Sequence, residues 1–201
     1  RFLAPASMVG LSLSGAARGL AHQLVEGLGS MPVDEALVRS LSREDRQALA
    51  RLDVRVGLHG LYLPPLLKPK AQGLRALLWS LHAGRPAPEP PGIRPAVAVD
   101  EAVPKAFYEA VGYGLVGGIA VRRDVLERFA AQARACAHHS PFQPGHEMHS
   151  ALGLGPEATG KVLEALGYVR AGDGFRPGRK PRRKDRPEKP SDSPFAVLKG
   201  R

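Results

Sequence analysis

The chain has 201 residues, 43% of them hydrophobic, with a net charge of +10 and one cysteine, Cys136. That length allows one domain or two small ones with a buried core, and a lone cysteine excludes an internal disulfide framework and fits a reducing, cytoplasmic setting. No run approaches the roughly 18 apolar residues that span a bilayer, so no membrane association is expected.

From the N-terminus, Phe2 to Leu13 follows Arg1, but Pro5, Ser7, Gly10 and Ser12 interrupt its apolar residues, which does not suit a secretory signal. A start at Arg rather than Met suggests a piece of a longer protein. Gly15 to Leu28 has Ala17, Leu20, Ala21, Leu24, Val25 and Leu28 on one helical face, with Ser14 as N-cap and Gly29 as C′ residue. A helical pattern over 33–52 breaks near Ser42, which with Asp45 makes a capping arrangement.

Val54-Arg55-Val56 and Leu61-Tyr62-Leu63 alternate apolar and polar side chains, predicting a hairpin over 54–63 around Leu58-His59-Gly60. Pro64 and Pro65 end the sheet, and Pro69 opens a helix over 70–83. Ala71, Leu74, Leu77, Leu78 and Leu81 form its apolar face, expected to share one core with the hairpin. Arg55, Lys68, Lys70 and Arg75, with His59 and Tyr62, are then left on the outer surface.

Residues 85–95 are proline-rich and extended, so 85–103 is expected to be a linker between a region 1–84 and a second over 104–175. In the second, a helix at 104–111 leads into a glycine-containing hairpin at 113–121. A helix over 122–137 follows, with Val125, Leu126, Phe129 and Ala133 inward. Residues 146–166 read as helix, turn and helix, and Tyr168-Val169-Arg170 with the glycine turn at 171–174 completes the order of a winged helix near 146–175. From Arg176 the chain is too charged and proline-rich to fold alone, giving an expected disordered basic tail over 176–201. The fold class expected is α+β, predominantly α-helical, with short β-hairpins.

The positive charge sits mainly at that end. Residues 170–201 hold eleven Lys/Arg against four Asp/Glu, and Arg179, Lys180, Arg182, Arg183, Lys184 and Arg186 fall within eight positions. Such a segment points to nucleic acid or another polyanion, with a merely solubilising tail as the plainer alternative.

Other patterns carry less. Gly155-Pro156-Glu157-Ala158-Thr159-Gly160-Lys161 matches seven positions of a phosphate-binding loop, but the eighth is Val162, which has no hydroxyl for Mg²⁺. The residues before it read as helix where a buried strand is required, so a turn between two helices is the better reading. Cys136, His138, His139, His146 and His149 cluster within fourteen residues and are the weak candidates for a metal site. Their spacing fits no common zinc finger, and a solvated loop is the simpler account. No nucleophile elbow, HExxH or credible carboxylate pair is present, so no catalytic residue is assigned and the chain by itself is not expected to be an enzyme.

GAARGLAHQLVEGLG (15–29), VRVGLHGLYLPPLLKPKAQGLRALLW (54–79), AFYEAVGYGLVGGIAVRRDVLERFA (106–130) and LGLGPEATGKVLEALGY (152–168) follow one another in an order with a counterpart elsewhere. They resemble the region after the two motor domains in alphaproteobacterial relatives of the mitochondrial degradosome RNA helicase, a superfamily-two, ATP-dependent family. The resemblance covers most of 15–175, and SPFAVLKG (193–200) is similar to the end of several such proteins. The His-rich loop at 138–149 departs from the family, and its nucleotide-binding and hydrolysis residues have no counterpart here.

The resemblance implies a non-catalytic, RNA-binding and structural C-terminal region beside the motor domains of the same parent chain. ATP and Mg would belong to that parent, and this chain would hold no cofactor. The nucleic-acid-binding residues expected are Arg55, His59, Tyr62, Lys68, Lys70, Arg75, Lys161 and Arg170, with the basic residues of the tail. A winged-helix DNA-binding protein is the alternative, and a docking scaffold that takes a protein partner through 193–200 is a third reading.

Overall fold

The computed structural model describes residues 14–33 and 35–178. The expectations for residues 1–13 and for the tail, including Arg179 to Arg186 and the 193–200 segment, lie outside the described residues. The fold is α+β and mainly helical.

Helix α1 (Gly15–Glu26) starts where the Ser14 hydroxyl accepts the Ala17 N–H. Ser14 is itself held by Asp45, whose carboxylate accepts both the Ser14 N–H (3.1 Å) and hydroxyl (2.7 Å). These bonds, with those from Ser42, hold the Asp45 carboxyl below its usual pKa. The helix ends two residues earlier than its periodicity suggests. Leu28 and Gly29 adopt positive φ, and Ser30–Met31 forms a strand, β1. Helices α2 (Glu35–Ser40) and α3 (Arg43–Arg51) follow, divided at Ser42, whose hydroxyl caps α3 by accepting the Asp45 N–H. Strands β2 (Arg55–Val56) and β3 (Leu61–Tyr62) form the expected hairpin, and β1 adds to it in the order β1-β3-β2, all antiparallel. Val54 and Leu61 pack with Ala17, Leu20, Leu24 and Leu49 in a first apolar cluster.

A 3₁₀ turn (Pro64–Leu67) leads into α4 (Pro69–Ala83). Here the structure corrects the sequence reading. Leu74, Leu77 and Leu81 are exposed (52%, 56% and 72%), while Gln72, Arg75, Ala76 and Trp79 face inward. Trp79 sets this rotation, meeting Phe107 edge-on at 5.2 Å. The two polar residues answer backbone groups that the 3₁₀ turn and the proline-rich segment leave open. Gln72 Nε2 donates to Leu67 O and its Oε1 accepts the Gly92 N–H. The helix therefore does not share the hairpin's core. Ala76 and Trp79 join Phe107, Tyr108, Val111, Tyr113 and Ala120 in a second cluster.

Residues 85–103 do not behave as a free linker either. Tyr113 donates its hydroxyl to Arg94 O at 2.7 Å, and β4 (Ala96–Ala98) pairs antiparallel along its length with Ile119, Ala120 and Val121. The second cluster thus spans the expected boundary. Its other elements are α5 (Lys105–Ala110), β5 (Tyr113–Val116) and β6 (Ile119–Arg122) in a sheet ordered β4-β6-β5. The β5–β6 turn places Gly117 and Gly118 at positive φ, the backbone that a two-residue hairpin turn demands.

Helix α6 (Arg123–Cys136) buries Val125, Leu126, Phe129 and Ala133 as its periodicity predicts. After a 3₁₀ turn (Ala137–His139), Phe142 forms a single antiparallel bridge with Phe175. Helices α7 (His146–Leu152) and α8 (Pro156–Ala165) and the hairpin β7 (Tyr168–Ala171)–β8 (Gly174–Pro177) follow. Strand β8 takes in Arg176 and Pro177, so the folded chain extends two residues into the expected tail. Phe129, Phe142, Met148, Leu152, Val162, Leu163 and Phe175 make the third cluster. Among the described residues no helix is long and apolar enough to cross a membrane.

Candidate nucleic-acid interface

The β2–β3 hairpin projects its loop onto α6, and the contact is polar. The Glu127 carboxylate accepts the backbone N–H groups of Leu58 (3.0 Å) and His59 (2.6 Å), one on each oxygen. Two charge-assisted bonds to adjacent amides fix the loop far better than two neutral ones. Gly57 N–H closes the turn on Gly60 O at 2.9 Å, and Arg123 donates to His59 O at 3.3 Å. Neither glycine leaves room for a Cβ while these partners keep their places. A Cβ on Gly57 would collide with the Glu127 carboxyl group, and one on Gly60 would meet Arg123 and the Met31 carbonyl.

Two clefts flank this loop. The first, about 550 Å³, is lined by Arg46, Arg55, Tyr62, Glu127 and Arg134, with Leu58 at its edge. The second, about 400 Å³, lies between the hairpin and the last helical module and is lined by Arg39, His59, Arg134, Leu166 and Tyr168, again with Leu58. Both volumes fall in the roughly 300–1,000 Å³ range of ligand clefts. Four arginines thus line the two clefts, and the one carboxylate in their lining, Glu127, is already engaged by the loop amides. Arg46 donates to Val38 O at 2.6 Å, which holds its guanidinium at the rim. Burial, then the Asp124 and Glu127 charges, raises the Tyr62 pKa against the opposing effect of Arg55 and Arg128. Burial likewise raises that of Tyr168. Both phenols are neutral at pH 7 and present ring surface beside cations.

The structure distributes the sequence-predicted residues unequally. Arg55, His59 and Tyr62 lie together here. Lys68 and Lys70 are exposed at the start of α4 but line neither cleft. Arg75 is a correction, being only 2% exposed, with its guanidinium donating to Leu66 O and the Ser30 hydroxyl. Burial, then the charge of the equally buried Arg123, pushes its pKa down to about 9, so it stays charged at pH 7 as an internal cation. Among the described residues neither guanidinium has a carboxylate within ion-pair distance, and the Nε of each finds no partner.

Lys161 and Arg170 are exposed on the last module, but each meets an acid. Lys161 Nζ is 2.9 Å from Glu157 and Arg170 Nε is 2.6 Å from Glu164, so the outer face of α8 carries little net charge. The loop with the phosphate-cradle pattern follows α7 and opens α8, with Gly155 at the cap and Pro156 at the first helical position. Of the metal candidates, Cys136 packs half-buried on the third cluster and His149 Nδ1 lies 3.0 Å from the Thr159 hydroxyl. His138, His139 and His146 are exposed, and the described residues hold no group of three or more His, Cys, Asp or Glu arranged for a metal.

Arg46, Arg134 and Tyr168 complete the clefts without a signal in the sequence that joins them. They sit on α3, on the solvent side of α6 and in β7, and only tertiary packing brings them to the hairpin loop. No protein-family model, curated protein or solved structure matches this chain.

Proposed function

We propose that this chain is a non-catalytic nucleic-acid-binding region that holds single-stranded RNA in the two clefts beside the β2–β3 hairpin, with an ATP-dependent helicase as its parent. The observation that carries the reading is the grouping of Arg46, Arg55 and Arg134 with Tyr62 and Tyr168 around a loop pinned by Glu127. Single strands are held by a cationic groove that follows the backbone and by aromatic faces that take bases. The resemblance of four sequence blocks to the post-motor region of degradosome-type RNA helicases supplies the parent. On this reading ATP and Mg are bound by the motor domains, and the basic tail adds electrostatic attraction.

The order helix, bridge, helix, helix, hairpin over 123–177 supports a winged-helix-like arrangement, with Phe142 in the place of its first strand. The rival reading makes α8 a DNA-reading helix. Lys161 on that helix and Arg170 on the neighbouring β7 are paired with Glu157 and Glu164, which favours a packing role for the module instead. Ultraviolet crosslinking of the full chain to oligouridylate tests the choice. Adducts on peptides carrying Tyr62 or Tyr168 support the clefts, whereas adducts confined to the α8 peptide would favour the rival.

A further inference from the structure

The apolar residue at the hairpin tip is out of place by its surroundings. Leu58 is 59% exposed and stands among Arg55, His59 and Arg134. It lines both clefts, as does Arg134, so it belongs to the ridge between them. Its backbone is also fixed. The N–H groups of Leu58 and His59 are held by Glu127, His59 O by Arg123, and the turn by Gly57 and Gly60. A side chain on a floppy loop would fold down against nearby apolar groups to leave water. This one is kept outward by backbone bonds that do not involve it.

We infer that Leu58 is a wedge that enters between bases of a single strand as the strand passes from one cleft to the other. The inference rests on the reading of the clefts as a strand-binding path. Arginines on either side hold phosphates, and a short branched apolar side chain on a rigid tip can separate a pair of stacked bases, as apolar wedges do at kinked base steps. The strand is then bent at a fixed point with one base step unstacked, and Tyr62 and Tyr168 are placed to receive the separated bases. A protein partner seated on Leu58 is the competing occupant. The cations that surround the tip favour a polyanion.

The probe is an oligoadenylate of about 12 nucleotides, within the roughly 4–16 nucleotides that such surfaces cover, carrying one 2-aminopurine that brightens on unstacking. Binding to the full chain should raise its fluorescence when the label sits at one or two central positions. Leu58→Ala, at an exposed site that leaves the fold intact, should abolish that rise and weaken binding about 5- to 10-fold, the low end for losing one base-stacking contact. The salt dependence of binding should not change, and Leu58→Met should restore the signal. A wild-type chain that binds without brightening any labelled position overturns the wedge. So does Leu58→Ala behaving as wild type while Arg55→Ala with Arg134→Ala weakens binding, a result that leaves the clefts standing. If neither Leu58→Ala nor the arginine pair alters binding, both the wedge and the cleft reading fall.

Discussion

Arg75 shows how far a single side chain departs from its type. In sequence it is one more cation beside Lys68 and Lys70; in the structure it lies under the 3₁₀ turn with its charge unpaired among the described residues. A buried ion of this kind is tolerated because its guanidinium donates to the Leu66 carbonyl and the Ser30 hydroxyl. An apolar residue of similar length gives up those bonds but also removes the cost of keeping a charge out of water. Arg75→Met should therefore leave RNA affinity within about twofold of wild type and change unfolding free energy by no more than about 1–2 kcal/mol, the scale of the carbonyl and hydroxyl it leaves without a partner. A fluorescence titration beside a denaturant melt checks both. Loss of affinity in a folded variant would return Arg75 to the binding surface. Glu127 is the opposite case, an unremarkable acid on α6 whose two amide contacts set the position of the hairpin loop.

At the scale of elements, α4 is the clearest test of the fold. Its exposed Leu77 and buried Trp79 are two residues apart on opposite sides of the helix. Trp79→Ala should cost about 3–5 kcal/mol through the void it leaves against Phe107, whereas Leu77→Ser should change stability by about 0.5 kcal/mol or less. Equal costs by urea unfolding would mean that the helix faces the other way. The periodicities of α1, α3 and α6 and the β5–β6 turn are legible because one strong signal, an apolar stripe, a serine cap or paired glycines, decides each of them. The orientation of α4 is not, since its leucine stripe is broader than the surface its neighbours cover and a tryptophan outside that stripe governs the packing. Residues 85–103 read as a linker from their prolines, yet a hydrogen bond from Gly92 and strand pairing at 96–98 attach them to the core. Composition reports what a segment would do alone, and pairing with a distant strand is invisible to it.

For the molecule as a whole, the proposed binding path lies where elements distant in sequence meet. Half of the site is legible: Arg55, His59 and Tyr62 are near neighbours in sequence. Arg46, Arg134 and Tyr168 need the fold. The basic tail belongs to the same scale, since charge contacts position a strand without reading its bases. Deleting residues 179–201 should weaken binding to all single-stranded sequences alike and flatten its dependence on salt, while base preference and the Leu58-dependent unstacking persist. A deletion that erased base preference would place the reading of sequence in the tail. The central claim is that the arginines flanking the hairpin hold phosphates. Its most direct test is the salt dependence of single-stranded RNA affinity in the full chain, measured with and without Arg55→Ala and Arg134→Ala together. Each lost phosphate contact removes about 0.7 from the slope of log affinity against log salt, so the double variant should bind more weakly with a slope shallower by about 1.4. Equal slopes and equal affinities in the two proteins would contradict the account.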